Sequence, residues 1–193
     1  MSESRKFWMR WRVRLGYPVA INYWLLSRPT PRSILIGAAV ALVGLLVRAS
    51  AAGYLRKDRV LATSGPYAFT RNPLYFGSSL LAAGFVVAGH SWIAGVVVAV
   101  YFAVFYYAVM RNEEQDLHVR FPEEFPAYAQ RVSLFFPWVY GGYGQPIAES
   151  ATAVEHFSWA LFARNREYRA VLGTIGGFAL VWLRMWLRAR FGY

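Results

Sequence analysis

Two short stretches of this chain combine residue types that can hold a small charged molecule. GPYAFTRNPLYFG, at 65–77, supplies Tyr67, Arg71, Asn72, Pro73, Tyr75 and Gly77, and RNEEQDLHVR, at 111–120, supplies Glu113, Glu114 and Arg120. A guanidinium donates to carboxylates or phosphates in a planar fork, a carboxylate accepts from ammonium groups, and such charge-assisted bonds are stronger than neutral ones. Tyrosine rings add apolar walls and faces that attract cations. Pro66 and Pro73 fix φ and restrict the residues before them, giving the loop one path, while Gly77 allows a ligand or helix to come close. Singly, each group has a plainer role: Arg71 suits a lipid phosphate and Glu113 and Glu114 a solvated helix start. Their ordered combination carries the functional reading.

The elements that must position these residues follow from composition. At 57% hydrophobic and 18% aromatic, the 193 residues exceed an ordinary soluble domain, which points to a membrane-embedded chain. Three apolar segments approach the roughly 20 residues needed to span a bilayer: 34–54, 74–89 and 92–110. Arg48 lies near enough to one end of the first to snorkel. Between the second and third only His90 and Ser91 remain, so the pair is expected to fold back antiparallel. That geometry puts 65–73 and 111–120 at the same membrane boundary. Arg56, Lys57, Arg59, Arg71, Arg111 and Arg120 then make it the basic one, which places it in the cytoplasm by the positive-inside bias.

The ends of the chain read less regularly. The segment 17–26 is ten residues with Pro18 and Asn22, fitting a short, broken or re-entrant crossing, and 171–187 is apolar but holds Arg184. Four or five membrane helices are expected. After the hairpin, 113–132 has the polarity of a cytosolic helical segment broken near Pro122 and Pro126, and five of the ten acidic residues lie there: Glu113, Glu114, Asp116, Glu123 and Glu124.

A net charge of +11 in this apolar context favours an anionic membrane surface over nucleic acid. Arg5, Lys6, Arg10, Arg12 and Arg14, alternating with Phe7, Trp8, Met9, Trp11 and Val13, fit an interfacial segment. They lack the apolar core and small-residue cleavage site of a signal peptide. With no cysteine, thiolate catalysis and Cys-ligated metal are excluded, and His90, His118 and His156 are too scattered to hold a metal. No linker-like composition divides the chain, which is read as one membrane domain: 1–64 interfacial and membrane helices, 65–137 the binding core, 138–193 a loop and a last membrane or interfacial helix.

The order GPYAFTRNPLYFG, hairpin, RNEEQDLHVRFPEEFPAYAQRVSLFFP, over 65–137, resembles the isoprenylcysteine carboxyl methyltransferase and phospholipid methyltransferase superfamily. That family shows GPY, Arg-His-Pro-x-Tyr-x-Gly, a hairpin, Glu-Glu-x-x-Leu, Phe-Gly-x-x-Tyr-x-x-Tyr and Phe-x-Pro. The resemblance implies an all-α membrane bundle with a cytosolic site, built from a loop and a post-hairpin helix, that takes S-adenosyl-L-methionine and methylates a lipophilic acceptor from the bilayer. It implies Tyr67, Arg71, Asn72, Pro73, Tyr75, Gly77, Glu113 and Glu114 around the cofactor, with Glu114 and Arg120 on the acceptor side. An isoprenylcysteine-like carboxylate is the expected acceptor, a phospholipid amine or small thiol the alternative. A sterol-type NADPH reductase or a non-catalytic scaffold are the other classes. Asn72 stands for the family's histidine, Pro122 for its glycine and Phe125 for its first tyrosine. Asparagine keeps hydrogen bonding but has no imidazolium.

Overall fold

The computed structural model describes residues 3–56, 60–137 and 156–192, with side chains from Trp11 onward except at 12 and 13. The side chains of Arg5, Lys6, Phe7, Trp8, Met9, Arg10, Arg12 and Val13, on which the interfacial reading rests, are not described, and the basic residues Lys57 and Arg59 and the loop 138–155 lie outside the described residues. The elements described are helices: α1 (Glu3–Leu26), α2 (Pro31–Tyr54), a 3₁₀ turn (Gly65–Ala68), α3 (Pro73–Gly89), α4 (Trp92–Arg120), α5 (Glu124–Arg131), α6 (Trp159–Arg164) and α7 (Tyr168–Phe191).

Local chemistry sets the boundaries. The stretch TPRS opens α2 as a reciprocal cap, with the Ser33 amide donating to Thr30 Oγ1 at 3.1 Å and the Thr30 amide to Ser33 Oγ at 2.9 Å. Pro31 and Pro73 sit at first helical positions, where the missing N–H leaves no gap. Between α3 and α4, His90 takes a left-handed φ of 47° and the Ser91 hydroxyl accepts from the Ala94 amide at 3.4 Å. The fold-back thus uses the two residues that the sequence left for it.

The post-hairpin helix is a different object from the one anticipated. No glycine or proline falls between Val96 and Phe121, so α4 runs unbroken from Trp92 through the polar RNEEQDLHVR to Arg120. Pro122 ends it, because the residue before a proline is pushed out of the helical region. Pro126 breaks nothing, lying in the first turn of α5, where its absent donor is not needed. Residues 17–26 are likewise no broken crossing but the last part of the continuous helix α1, with Pro18 inside it.

Among the described residues three helices, α2, α4 and α7, are long and apolar enough to cross a membrane, and α3 is a shorter apolar helix of 17 residues. The protein is an all-α integral membrane helical bundle. Its residues pack as two units, one of Met1–Val43, Ser79–Asn112 and Val171–Tyr193, the other of Gly44–Ser78 and Glu113–Ala170.

Within the first unit, Gly37 and Gly84 bring the backbones of α2 and α3 together. A Cβ on Gly84 would lie 2.6 Å from the Gly37 carbonyl oxygen, and one on Gly37 2.4 Å from that of Gly84. Small residues at such contacts are the membrane solution to packing without a hydrophobic driving force. Around them the Tyr23 hydroxyl donates to the Phe85 carbonyl at 2.5 Å, the Phe85 and Phe178 rings meet at 4.7 Å, and Trp24 donates to the Leu180 carbonyl at 2.9 Å. Gly84→Ala is therefore expected to lower stability by about 1–3 kcal/mol, since backbone, not a flexible side chain, must move. An unchanged thermal midpoint in detergent contradicts this close approach.

Candidate functional site

The second unit contains 65–77 and, from the other stretch singled out above, 113–120. In the loop between α2 and α3 the 3₁₀ turn begins at Gly65, whose φ of 58° is open to glycine, and whose absent Cβ would meet the Tyr54 ring at 2.8 Å. The 3₁₀ turn then buries Tyr67 against Ala51 and Ala62, with Tyr54, Leu55 and Leu74 around them. From α5, the buried Tyr128 hydroxyl donates to the Tyr67 carbonyl at 2.7 Å. Tyr67 is thus a core side chain of the loop. Its phenol is pushed above the ordinary tyrosine value by burial and then by the negative charge of Glu113. Burial also raises Tyr128, against the opposing pull of Arg71.

Past the turn, the loop is clamped to the strand-like 133–135. The Arg71 amide donates to the Ser133 carbonyl at 2.9 Å, buried Thr70 donates through Oγ1 to the Phe135 carbonyl at 2.9 Å, and Asn72 donates through Nδ2 to the Leu134 carbonyl at 2.9 Å. Asn72 is itself buried, and its backbone carbonyl accepts from the Tyr75 and Phe76 amides at the start of α3. Pro73 is fully buried behind it. Loop path, helix start and the FFP segment are one hydrogen-bonded piece.

The clamp aims Arg71 at the end of α4. Its Nη2 lies 2.8 Å from Glu114 Oε1, with both side chains only 12% exposed, and its Nη1 donates to the Ala129 carbonyl at 3.2 Å. The guanidinium stands over the buried Phe125 ring at 5.9 Å. Arg71 Nε is buried with no hydrogen-bond partner. One turn along α3, Tyr75 donates its hydroxyl to Glu113 Oε2 at 2.9 Å, and Glu113 is exposed. Arg71, Asn72, Tyr75, Glu113 and Glu114 are therefore brought together.

The other candidates lie differently. Gly77 packs helix on helix, since a Cβ there would meet the Gly44 carbonyl oxygen at 2.8 Å. Arg120 is exposed at the last residue of α4, about 9 Å along the axis from Glu114 and on another face of the helix.

Sequence reasoning missed a second charged group. Arg48, expected to snorkel, instead bonds through Nε to the buried Glu167 at 2.5 Å, and through Nη1 to the Leu74 carbonyl at 3.3 Å and to Ser78 Oγ. It thereby ties α2 to the first turns of α3. Among the described residues no group of three or more His, Asp or Glu side chains is placed to hold a metal.

Because Tyr128 is 1% exposed, Tyr128→Phe leaves the Tyr67 carbonyl buried without its donor and is expected to cost about 1–3 kcal/mol. The raised phenol also sets a sign. Its protonated form stabilises the fold fully below about pH 10, the unfolded value, and that contribution fades as pH rises beyond it. Alkaline titration followed by tyrosinate absorbance should lose a late-ionising phenol in the variant; an unchanged late phase and midpoint contradict the bond.

Comparison with known proteins agrees with this architecture. Residues 33–124 match the phospholipid methyltransferase family model, from the capped start of α2 through the loop, α3 and α4 to the first residue of α5. The match reaches further toward the N-terminus than the motifs at 65–137 do. The chain is 40% identical over 105 residues to the cobalt-zinc-cadmium resistance protein CzcN of Cupriavidus metallidurans, covering 53% of this chain and 47% of that protein. To the nickel-cobalt-cadmium resistance protein NccN of Alcaligenes xylosoxydans xylosoxydans it is 37% identical over 111 residues, 53% of this chain and 52% of the relative. The chain spans about half the length of the curated relatives it matches. No solved structure matches. The resemblance read in the sequence is thus met by a match of residues 33–124 to the phospholipid methyltransferase family, part of the isoprenylcysteine carboxyl methyltransferase-like superfamily of membrane methyltransferases.

Proposed function

We propose that the protein is an S-adenosyl-L-methionine-dependent methyltransferase of the membrane, with its cofactor site facing the cytoplasm and a lipophilic acceptor drawn from the bilayer. The observation that carries the proposal is the Arg71–Glu114 ion pair at 2.8 Å, inside the family-matched segment, with Tyr75 and Glu113 beside it.

The donor set fits the cofactor. The amino-acid end of S-adenosyl-L-methionine carries a carboxylate and an ammonium, the same two charges that Glu114 and Arg71 offer each other. Arg71, oriented by the Ala129 carbonyl and the Phe125 ring, would take the carboxylate, with Nε as a further donor still unmatched. Glu113 and Glu114 would take the ammonium, and Tyr75 would wall the site. Asn72 holds the loop against Leu134, so the family's histidine position acts here through positioning. When bound, S-adenosyl-L-methionine supplies a methyl carbon activated by its sulfonium. The protein's part is then placement and charge control, for which effective molarity supplies roughly 7–11 kcal/mol in good cases.

Arg120, exposed at the end of α4, would orient an acidic acceptor such as the carboxylate of an isoprenylcysteine, with Glu114 balancing charge or accepting a proton. The names of the two relatives point to metal resistance as the physiological setting of the activity.

Calorimetric titration of the detergent-purified protein with S-adenosylhomocysteine tests the reading. Wild type is expected to bind, and Arg71→Ala and Glu114→Gln to weaken binding roughly 10-fold or more, the size of a lost charged hydrogen bond. Binding of NADPH instead points to a reductase, and binding of neither to a scaffold; both overturn the proposal. Arg120→Ala should raise the Michaelis constant of the acceptor more than that of the cofactor, and equal effects remove it from the acceptor side.

A further inference from the structure

The segment that joins the second unit's helices to α7 has two chemically distinct faces. Its inner face is fully engaged. The Ser158 amide donates to the Gly53 carbonyl at 3.0 Å, Asn165 Nδ2 donates to the Ala52 and Leu55 carbonyls at 2.9 and 3.0 Å, and Glu167 pairs with Arg48. Three carbonyls at the end of α2, which no helical amide can reach, are satisfied this way. Phe157 packs over Gly53 and against Tyr54.

The side chains that the segment exposes are cationic and aromatic. Arg164, Arg166 and Arg169 are exposed, as are Trp159 at 73% and Tyr168 at 44%. Glu167, the acidic residue among them, is turned inward to Arg48, so its charge does not offset the arginines outward. Covalent connection fixes the depth of this face: α6 ends at Arg164 and the candidate membrane span α7 begins at Tyr168, so α6 stands where the chain enters the bilayer.

Backbone conformation adds an independent sign. The C-terminus of α6 closes with the Glu167 amide donating to the Phe162 carbonyl at 3.3 Å and the Arg166 amide to that of Ala163 at 3.0 Å. This is the turn that normally has glycine at its left-handed position, yet Arg166 occupies it at a φ of 57°. An arginine held where glycine is less strained points to use of the guanidinium.

We infer that residues 157–169 form a docking surface for anionic phospholipid headgroups, with Arg164, Arg166 and Arg169 on the phosphates and Trp159 and Tyr168 at the headgroup boundary. Exposed aromatics beside arginines at a bilayer entry suit that boundary, and each arginine near an anionic surface contributes roughly fivefold to binding. The clamped inner face presents this surface rigidly. The inference does not depend on the methyltransferase reading.

The test uses the full chain in non-ionic detergent, adding phosphatidylglycerol or phosphatidylcholine, or inorganic phosphate alone, and reading the thermal midpoint. Wild type should be stabilised more by phosphatidylglycerol than by phosphatidylcholine, and scarcely by phosphate. The combined variant Arg164→Gln, Arg166→Gln and Arg169→Gln should respond alike to both lipids while keeping its midpoint in phosphatidylcholine. Arg166→Gly separates the roles, because relief of backbone strain should raise the midpoint in phosphatidylcholine while the gain from phosphatidylglycerol shrinks. Equal wild-type responses to the two lipids, an equal response to free phosphate, or an undiminished phosphatidylglycerol response in the combined variant would overturn the inference.

Discussion

The site rests on how Arg71 is held. A guanidinium with only water around it is a flexible, solvated charge, and an exposed ion pair contributes little. Here the backbone on either side is fixed first. Thr70, Arg71 and Asn72 each donate to 133–135, Pro73 is buried, and the Tyr67 carbonyl is bonded from α5. The Arg71 side chain is then confined between the Ala129 carbonyl, the Phe125 ring and Glu114. Its charge points one way because the loop beneath it has few alternatives. Enzymes that work mainly by positioning need this kind of prior order.

Much of this was legible in the sequence, for identifiable reasons. A two-residue polar connection between apolar runs leaves little but an antiparallel fold-back, and His90 and Ser91 behave accordingly. From that step the meeting of Arg71 with the Glu113–Glu114 pair followed, because both stretches flank the hairpin. The prolines that open α2 and α3 were read only as shaping the loop or passed over, although each follows a residue that can cap a helix. The continuation of α4 to Arg120 was harder to see, since a change from apolar to polar residues marks a change of solvent, not of backbone.

What could not be read were bonds to backbone carbonyls. Asn72 to Leu134, Tyr128 to Tyr67 and Asn165 to Ala52 and Leu55 all use acceptors that every residue possesses, so no residue type announces them. Arg48 with Glu167 is another such case, 119 positions apart, where one arginine in an apolar helix looked like an interfacial cation. Pairing by Glu167 also frees the outer arginines from local neutralisation, so one buried contact shapes two surfaces.

Measuring the coupling between Arg71 and Glu114 tests the account most directly. In a double-mutant cycle of Arg71→Ala and Glu114→Ala, followed by equilibrium unfolding in detergent, the two effects should fall short of additivity by about 0.5–3 kcal/mol, as expected for groups in contact. Strict additivity would mean that the guanidinium and carboxylate do not meet, and the site built on their meeting would not exist.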